Sequence, residues 1–138
     1  VEPANPAYKD FVNAQFLSAP FIQHLGMEMI EFGPGWCETL VRIKPEHLQQ
    51  DGFVHAGVIS TLADHSSGMA AGTMCPAGRK VLTVEFKINL LRPGTGGELR
   101  CRAEVVRAGR TLTVTEAKVF AADGKPIALM TATMALVE

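Results

Sequence analysis

The 138 residues are 47% hydrophobic and 20% charged, with a net charge of −1. This balance is close to that of an average soluble globular chain and excludes disordered and fibrous classes. A chain of this length suits one domain spanning 1–138, which buries roughly two-thirds of its unfolded surface and needs no staples.

The opening VEPANPAYKD lacks the basic start and apolar run of a signal peptide, so cytoplasm is the expected compartment. Residues 6–18 space Phe11, Val12, Ala14, Gln15 and Phe16 as a short amphipathic helix, with Asn5 as cap and Pro6 in its first turn. Pro20 opens a brief helix or turn that ends at Gly26, so residues 1–24 are expected to pack on the domain as a helical segment. MEMIEF, the turn Gly33-Pro34-Gly35 and WCETLVRIK predict a hairpin with Cys37, Thr39, Val41 and Ile43 on one face. Pro45 stops it, and a polar loop leads to an uncharged run beginning at His55.

That run, GFVHAGVISTLADHSSGMAAGTM over residues 52–74, predicts a buried helix from 55 to 74, with Asp64 as its first acid. It is too polar to be a membrane helix. A lone carboxylate on an apolar helix costs several kcal/mol to desolvate unless it is paired, so its presence needs a reason. Beyond the breakers Cys75-Pro76-Ala77-Gly78 the period changes to two. Leu82, Val84, Phe86, Ile88 and Leu90 alternate with Thr83, Glu85, Lys87 and Asn89 as a half-buried strand. Strands around 99–105, 111–120 and 127–137 follow, separated by Ala108-Gly109 and Asp123-Gly124, so the four are expected to form a meander. Helix, hairpin, long helix and meander together predict an α+β fold in which a curved antiparallel sheet covers the central helix; either strong curvature of that sheet or a partner subunit has to cover its remaining sides.

Charge is unevenly spread. Residues 1–78 carry three bases against eight acids, whereas residues 79–118 carry nine bases against four. A basic half can collect phosphate groups such as those of a CoA-type ligand, for which Lys87, Asn89, Arg92 and Arg110 are candidates; solvated outer strand faces are the plainer reading. The basic strands carry few aromatics, against nucleic-acid binding. Cys37, Cys75 and Cys101 are odd in number, contain no CxxC pair and read as buried thiols in a reducing compartment. His24, His47, His55 and His65 lack partners at ligand spacing, so no metal is expected. PGTGGE lacks the ending of a phosphate loop, and GVIST is not a nucleophile elbow.

What remains is the long helix. Its N-terminus offers the backbone N–H groups of Ala56 and Gly57 to a polarised carbonyl oxygen, with His55 and Gln49 at the rim. Asp64 is the candidate base or nucleophile, yet eight residues separate it from Ala56, about 12 Å at 1.5 Å per residue. Both groups can act on one carbonyl only if two helices lie antiparallel across a two-fold axis, which predicts a dimer with shared sites. Against these roles stand a structural Asp64 paired with an arginine or His65, a His55 that only caps the helix, and a Thr83 that is an ordinary strand residue. Met69, Met74, Met130 and Met134 read as core or pocket lining.

Gly52-Phe53-Val54-His55-Ala56-Gly57, Thr61-Leu62-Ala63-Asp64 and Gly68-Met69-Ala70-Ala71, with TVEFKINLLRPG and VVRAGRTLTVTEAKVF, resemble the hotdog-fold acyl-CoA thioesterases of the phenylacetate-degradation (PaaI-like) type over residues 24–137. The resemblance implies a helix wrapped by a sheet, a homodimer with interfacial sites, often a homotetramer of two dimers, and CoA only as part of the substrate. It places the acid on Asp64, the backbone donor on Ala56 or Gly57 beside His55, the upstream amide on Gln49 and the assisting hydroxyl on Thr83. The usual His-Gly-Gly is His-Ala-Gly here, and Gln49 stands where the family often has Asn. A non-catalytic acyl-CoA binding protein and an acyl-thioester hydratase or dehydratase are alternatives on the same fold.

Overall fold

The computed structural model describes residues 1–138. Helices α1 (Tyr8–Ser18) and α2 (Pro20–Leu25) lead into strands β1 (Met27–Gly33) and β2 (Trp36–Arg42), then α3 (Ala56–Gly72), β3 (Lys80–Leu90), β4 (Glu98–Ala108), β5 (Leu112–Ala121) and β6 (Pro126–Val137). The strands form one antiparallel sheet in the order β1-β2-β4-β5-β6-β3. Its inner face wraps α3, whose buried Val58, Ile59, Leu62, Ala63, Ala70 and Ala71 meet Cys37, Val41, Leu99, Ala103, Ala117, Val119 and Met130 in one core. Truncating a fully buried side chain such as Leu62 to alanine removes about 2–5 kcal/mol of stability.

Polar groups tie the helix to the sheet. The Thr39 and Ser66 hydroxyls lie 2.7 Å apart, and the Cys37 thiol donates to the Ser66 carbonyl at 3.1 Å. Burial pushes the Cys101 thiol up to about 12 and raises Cys37 further, so both stay protonated; all three cysteines are buried and unbridged. No helix is long and apolar enough to cross a membrane.

The predicted elements form, with four corrections. Helix α1 begins at Tyr8, because Asn5 uses its side-chain oxygen to accept from the Ala7 N–H in a preceding turn. Helix α3 is shorter than 55–74, since His55 is extended and caps it. The four C-terminal strands are not a simple meander: β3 pairs with β6, and residues 91–97 carry the chain from the β3 edge to β4 across the end of the sheet. Gly94 is buried in that crossing, where a side chain would press within 3.0 Å of Val54 Cβ.

The fourth correction bears on the site. The period-two pattern of β3 is broken between Thr83 and Glu85. Because side chains alternate faces, one extra residue exchanges them. Val81 and Thr83 lie inward before the bulge and Phe86, Ile88 and Leu90 after it, so Leu82 faces outward and Thr83, read from sequence as polar-face, turns toward α3.

Candidate active site

Two features of α3 lie about two turns apart. At its start, His55 has φ −60° and ψ 136°, and its Nδ1 accepts the Gly57 N–H at 2.8 Å. The cap requires glycine at 57, since a Cβ there would approach His55 Nδ1 to 2.9 Å. His55 therefore caps the helix through Nδ1, and its Nε2 takes no part in the cap. The Val58 N–H bonds the His55 carbonyl, whereas the Ala56 N–H makes no hydrogen bond within the chain. Of the two predicted donors, Ala56 is the free one. The His55 N–H in turn bonds the carbonyl of buried His47, which fixes where the helix starts.

Gln49 lines the same cleft as Ala56, beside Phe53, Ile59, Leu90 and Arg92. Its side-chain oxygen accepts from the Asp51 and Phe53 N–H groups at 2.5 and 3.3 Å and ties the 49–53 turn. Only its amide NH2 is left to face a ligand.

Two turns further along α3, Asp64 lines a separate cleft of about 350 Å³ with Phe11, Gln15, Gly68, Met69, Val81 and Thr83. Thr83 donates from its hydroxyl to Asp64 Oδ1 at 2.8 Å, a contact the β3 bulge makes possible. Neither an arginine nor His65 pairs with Asp64, contrary to the structural-acid alternative. Burial raises the carboxyl above its ordinary value, and the Thr83 hydroxyl partly opposes the rise. Next to it, burial holds His65 down to about 4, neutral against the Phe16 ring at 5.2 Å. The α1 residues Phe11 and Gln15 were not expected here. Nothing in the sequence links positions some fifty residues apart, and only the packing of α1 on α3 brings them to Asp64.

The candidate CoA contacts do not gather in one chain. Lys87 and Asn89 lie on β3 and Arg92 just beyond it, whereas Arg110 sits in the β4–β5 turn, where its carbonyl accepts from Arg79 at 3.1 Å. Leu112 aligns through Ala135 with Leu82, seven strand residues from Asn89, so Arg110 is more than about 20 Å away. Three bases of this half are paired: Arg100 with Glu98, Arg102 with Glu38 and Glu104, and Lys118 with Glu116. Lys87, Arg92 and Arg110 enter no ion pair.

Residues 51–128 match the profile of the thioesterase superfamily. A crystal structure of a thioesterase family protein from Silicibacter pomeroyi superposes with a TM-score of 0.91 at 41% identity, covering 94% of this chain and 98% of that one. Acyl-coenzyme A thioesterase 13 of Pongo abelii is 28% identical over 124 residues, 87% of each chain. The PaaI protein from the phenylacetic acid degradation operon of E. coli shares the fold, with a TM-score of 0.89 at 20% identity over 98% of this chain and 96% of its own. The chain belongs to the thioesterase superfamily and adopts its hotdog fold.

Proposed function

We propose that this protein hydrolyses acyl-CoA thioesters to the free acid and CoA, at sites built jointly by two subunits. The observation that carries the reading is the Asp64–Thr83 pair, a carboxyl raised by burial and oriented by one hydroxyl in an open cleft, with no structural partner. A base with a raised pKa works closer to neutral pH, and Asp64 either takes a proton from water or attacks the carbonyl itself. In the first case the water oxygen bonds to the acyl carbon, the C–S bond breaks and the proton held by Asp64 passes to the departing sulfur. In the second the C–S bond breaks as an Asp64–acyl anhydride forms, and water then cleaves that anhydride to the acid and free Asp64, supplying the proton that the sulfur takes. The Ala56 N–H at the positive end of α3 receives the developing oxyanion. The name of the Pongo abelii relative supports CoA as the carrier.

A shared site follows from the separation of the two groups and from the free edge of β3. That strand ends the sheet and leaves Leu82, Val84, Phe86 and Leu90 exposed. An unpaired apolar edge is a template for a second strand. Two-fold antiparallel pairing of β3 with its copy sets the Thr83 end of one subunit beside the Leu90–Arg92 end of the other, and so sets Asp64 near the partner's helix start. Lys87, Asn89 and Arg92 then border the entrance as CoA contacts. Outward-facing Leu82, Leu112 and Val114 provide a surface on which two dimers meet as a tetramer. The buried free thiols suit a reducing compartment such as the cytoplasm.

The test is a panel of acyl-CoAs followed by a thiol reagent and by enoyl absorbance. Free thiol should appear with at least one acyl-CoA and the enoyl signal should stay flat. Tight binding without thiol release, or an enoyl change without it, would replace hydrolysis with one of the alternatives.

Thr83 gives a second measurement. Thr83→Val removes a hydrogen bond to the ionised Asp64, so the pKa rises further and the acid limb of kcat/KM moves to higher pH. A hydrogen bond to a charged group is worth about 1.5–3 kcal/mol, so kcat/KM at a fixed pH on the acid limb should fall about tenfold or more. Thr83→Ser, which keeps the hydroxyl, should restore both; equal profiles for Val and Ser would show that Thr83 does not tune Asp64.

A further inference from the structure

Helix α3 contains Gly57, Gly68 and Gly72, although glycine inside a helix weakens it relative to alanine through lost backbone entropy. Two of the three have a packing reason. Gly57 makes room for the His55 cap, and Gly72 lies under α1, where an added Cβ would meet Phe11 Cε2 at 3.4 Å and Val12 Cγ2 at 3.6 Å. Gly68 has none. A Cβ built there meets no atom within 4 Å, and its φ is not positive. It lies four residues after Asp64, on the same helix face, and lines the same cleft.

We infer that Gly68 is a specificity-determining residue, whose missing side chain holds open a chamber beside Asp64 for the body of the acyl group. The inference rests on the thioesterase reading and deepens it. Phe11 and Gln15 of α1 line this chamber together with Met69 and Val81. Its volume of about 350 Å³ stands at the low end of the roughly 300–1,000 Å³ typical of small-molecule clefts. A side wall made by a packed helix stops a long chain, whereas a medium-length, branched or single-ring acyl group fills the space. The chamber belongs to the subunit that supplies Asp64, so the acyl group reaches back under α1 of that subunit while the carbonyl points to the partner's Ala56.

Gly68→Ala and Gly68→Leu test this, because both substitute good helix formers and a Cβ at position 68 meets no atom within 4 Å. The measurements are kcat/KM for acetyl-, hexanoyl- and benzoyl-CoA by thiol release, thermal unfolding and mass in solution. The alanine variant should melt no lower than the parent, and both variants should keep the parent's mass. The hexanoyl/acetyl and benzoyl/acetyl ratios of kcat/KM should drop in the leucine variant by about 10–200-fold, the range for a misfit of methylene size or more, and by less in the alanine variant. Unchanged ratios would overturn the inference. So would a change of mass, which would mean that Gly68 serves helix approach between subunits. A parent that is inactive on every acyl-CoA would overturn the thioesterase reading as well, an outcome distinct from an active parent with unaltered selectivity.

Discussion

Asp64→Asn is expected to lower kcat by about 10²–10⁴-fold, the range supplied by a positioned general base, while leaving the fold in place. Asparagine keeps the size of the side chain and an oxygen that can accept from Thr83, so the substitution removes charge and basicity with little else. Its effect on stability has a definite sign. Because burial raises the carboxyl pKa in the folded chain, the fold favours the protonated form. Asp64 thus contributes stability below the ordinary aspartate range and loses that contribution as pH rises through the raised value. At neutral pH the ionised group is a cost, kept modest by solvent access and by the Thr83 hydroxyl. The variant should therefore melt at or above the parent temperature at pH 7, and this advantage should vanish in acid. Loss of activity together with loss of stability at pH 7 would instead make Asp64 a structural acid.

A lone acid on an otherwise uncharged helix is what sequence reveals most directly, and Asp64 is such a residue. Helix and strand positions were also legible, since their periods depend on local alternation. Strand order was not. Whether β3 neighbours β4 or β6 depends on where residues 91–97 cross, and Val54 and Gly94, which hold that crossing, are far apart in sequence. The facing of Thr83 was hidden for a related reason: one bulge residue exchanges inner and outer faces without altering composition. The basic half illustrates the converse, because a count of charges does not show that Arg100, Arg102 and Lys118 have carboxylates beside them on the sheet. The contributions of Phe11 and Gln15 to the Asp64 cleft depend on α1 lying against α3, a tertiary contact with no local signature.

Ala56→Pro tests the other half of the site with little structural disturbance. Ala56 is the first residue of α3, the position where proline is best tolerated, and the N–H that proline lacks is the one free of hydrogen bonds. His55, which precedes it, already has the extended geometry that a following proline demands. The variant should melt close to the parent but lose about 10²–10³ in kcat, as expected for removal of one oxyanion donor. Mixing it with Asp64→Asn then separates a shared site from a self-contained one. If each site takes Asp64 from one subunit and Ala56 from the other, a mixed dimer has one doubly defective site and one intact site. After complete subunit exchange at equal amounts, about a quarter of the sites should be intact, and thiol release should recover to roughly that fraction of the parent rate. A mixture that exchanges subunits yet stays as inactive as its components would mean that each chain completes its own site. In that case the roughly 12 Å along α3 between Ala56 and Asp64 would have to be bridged by substrate or water rather than by a second helix.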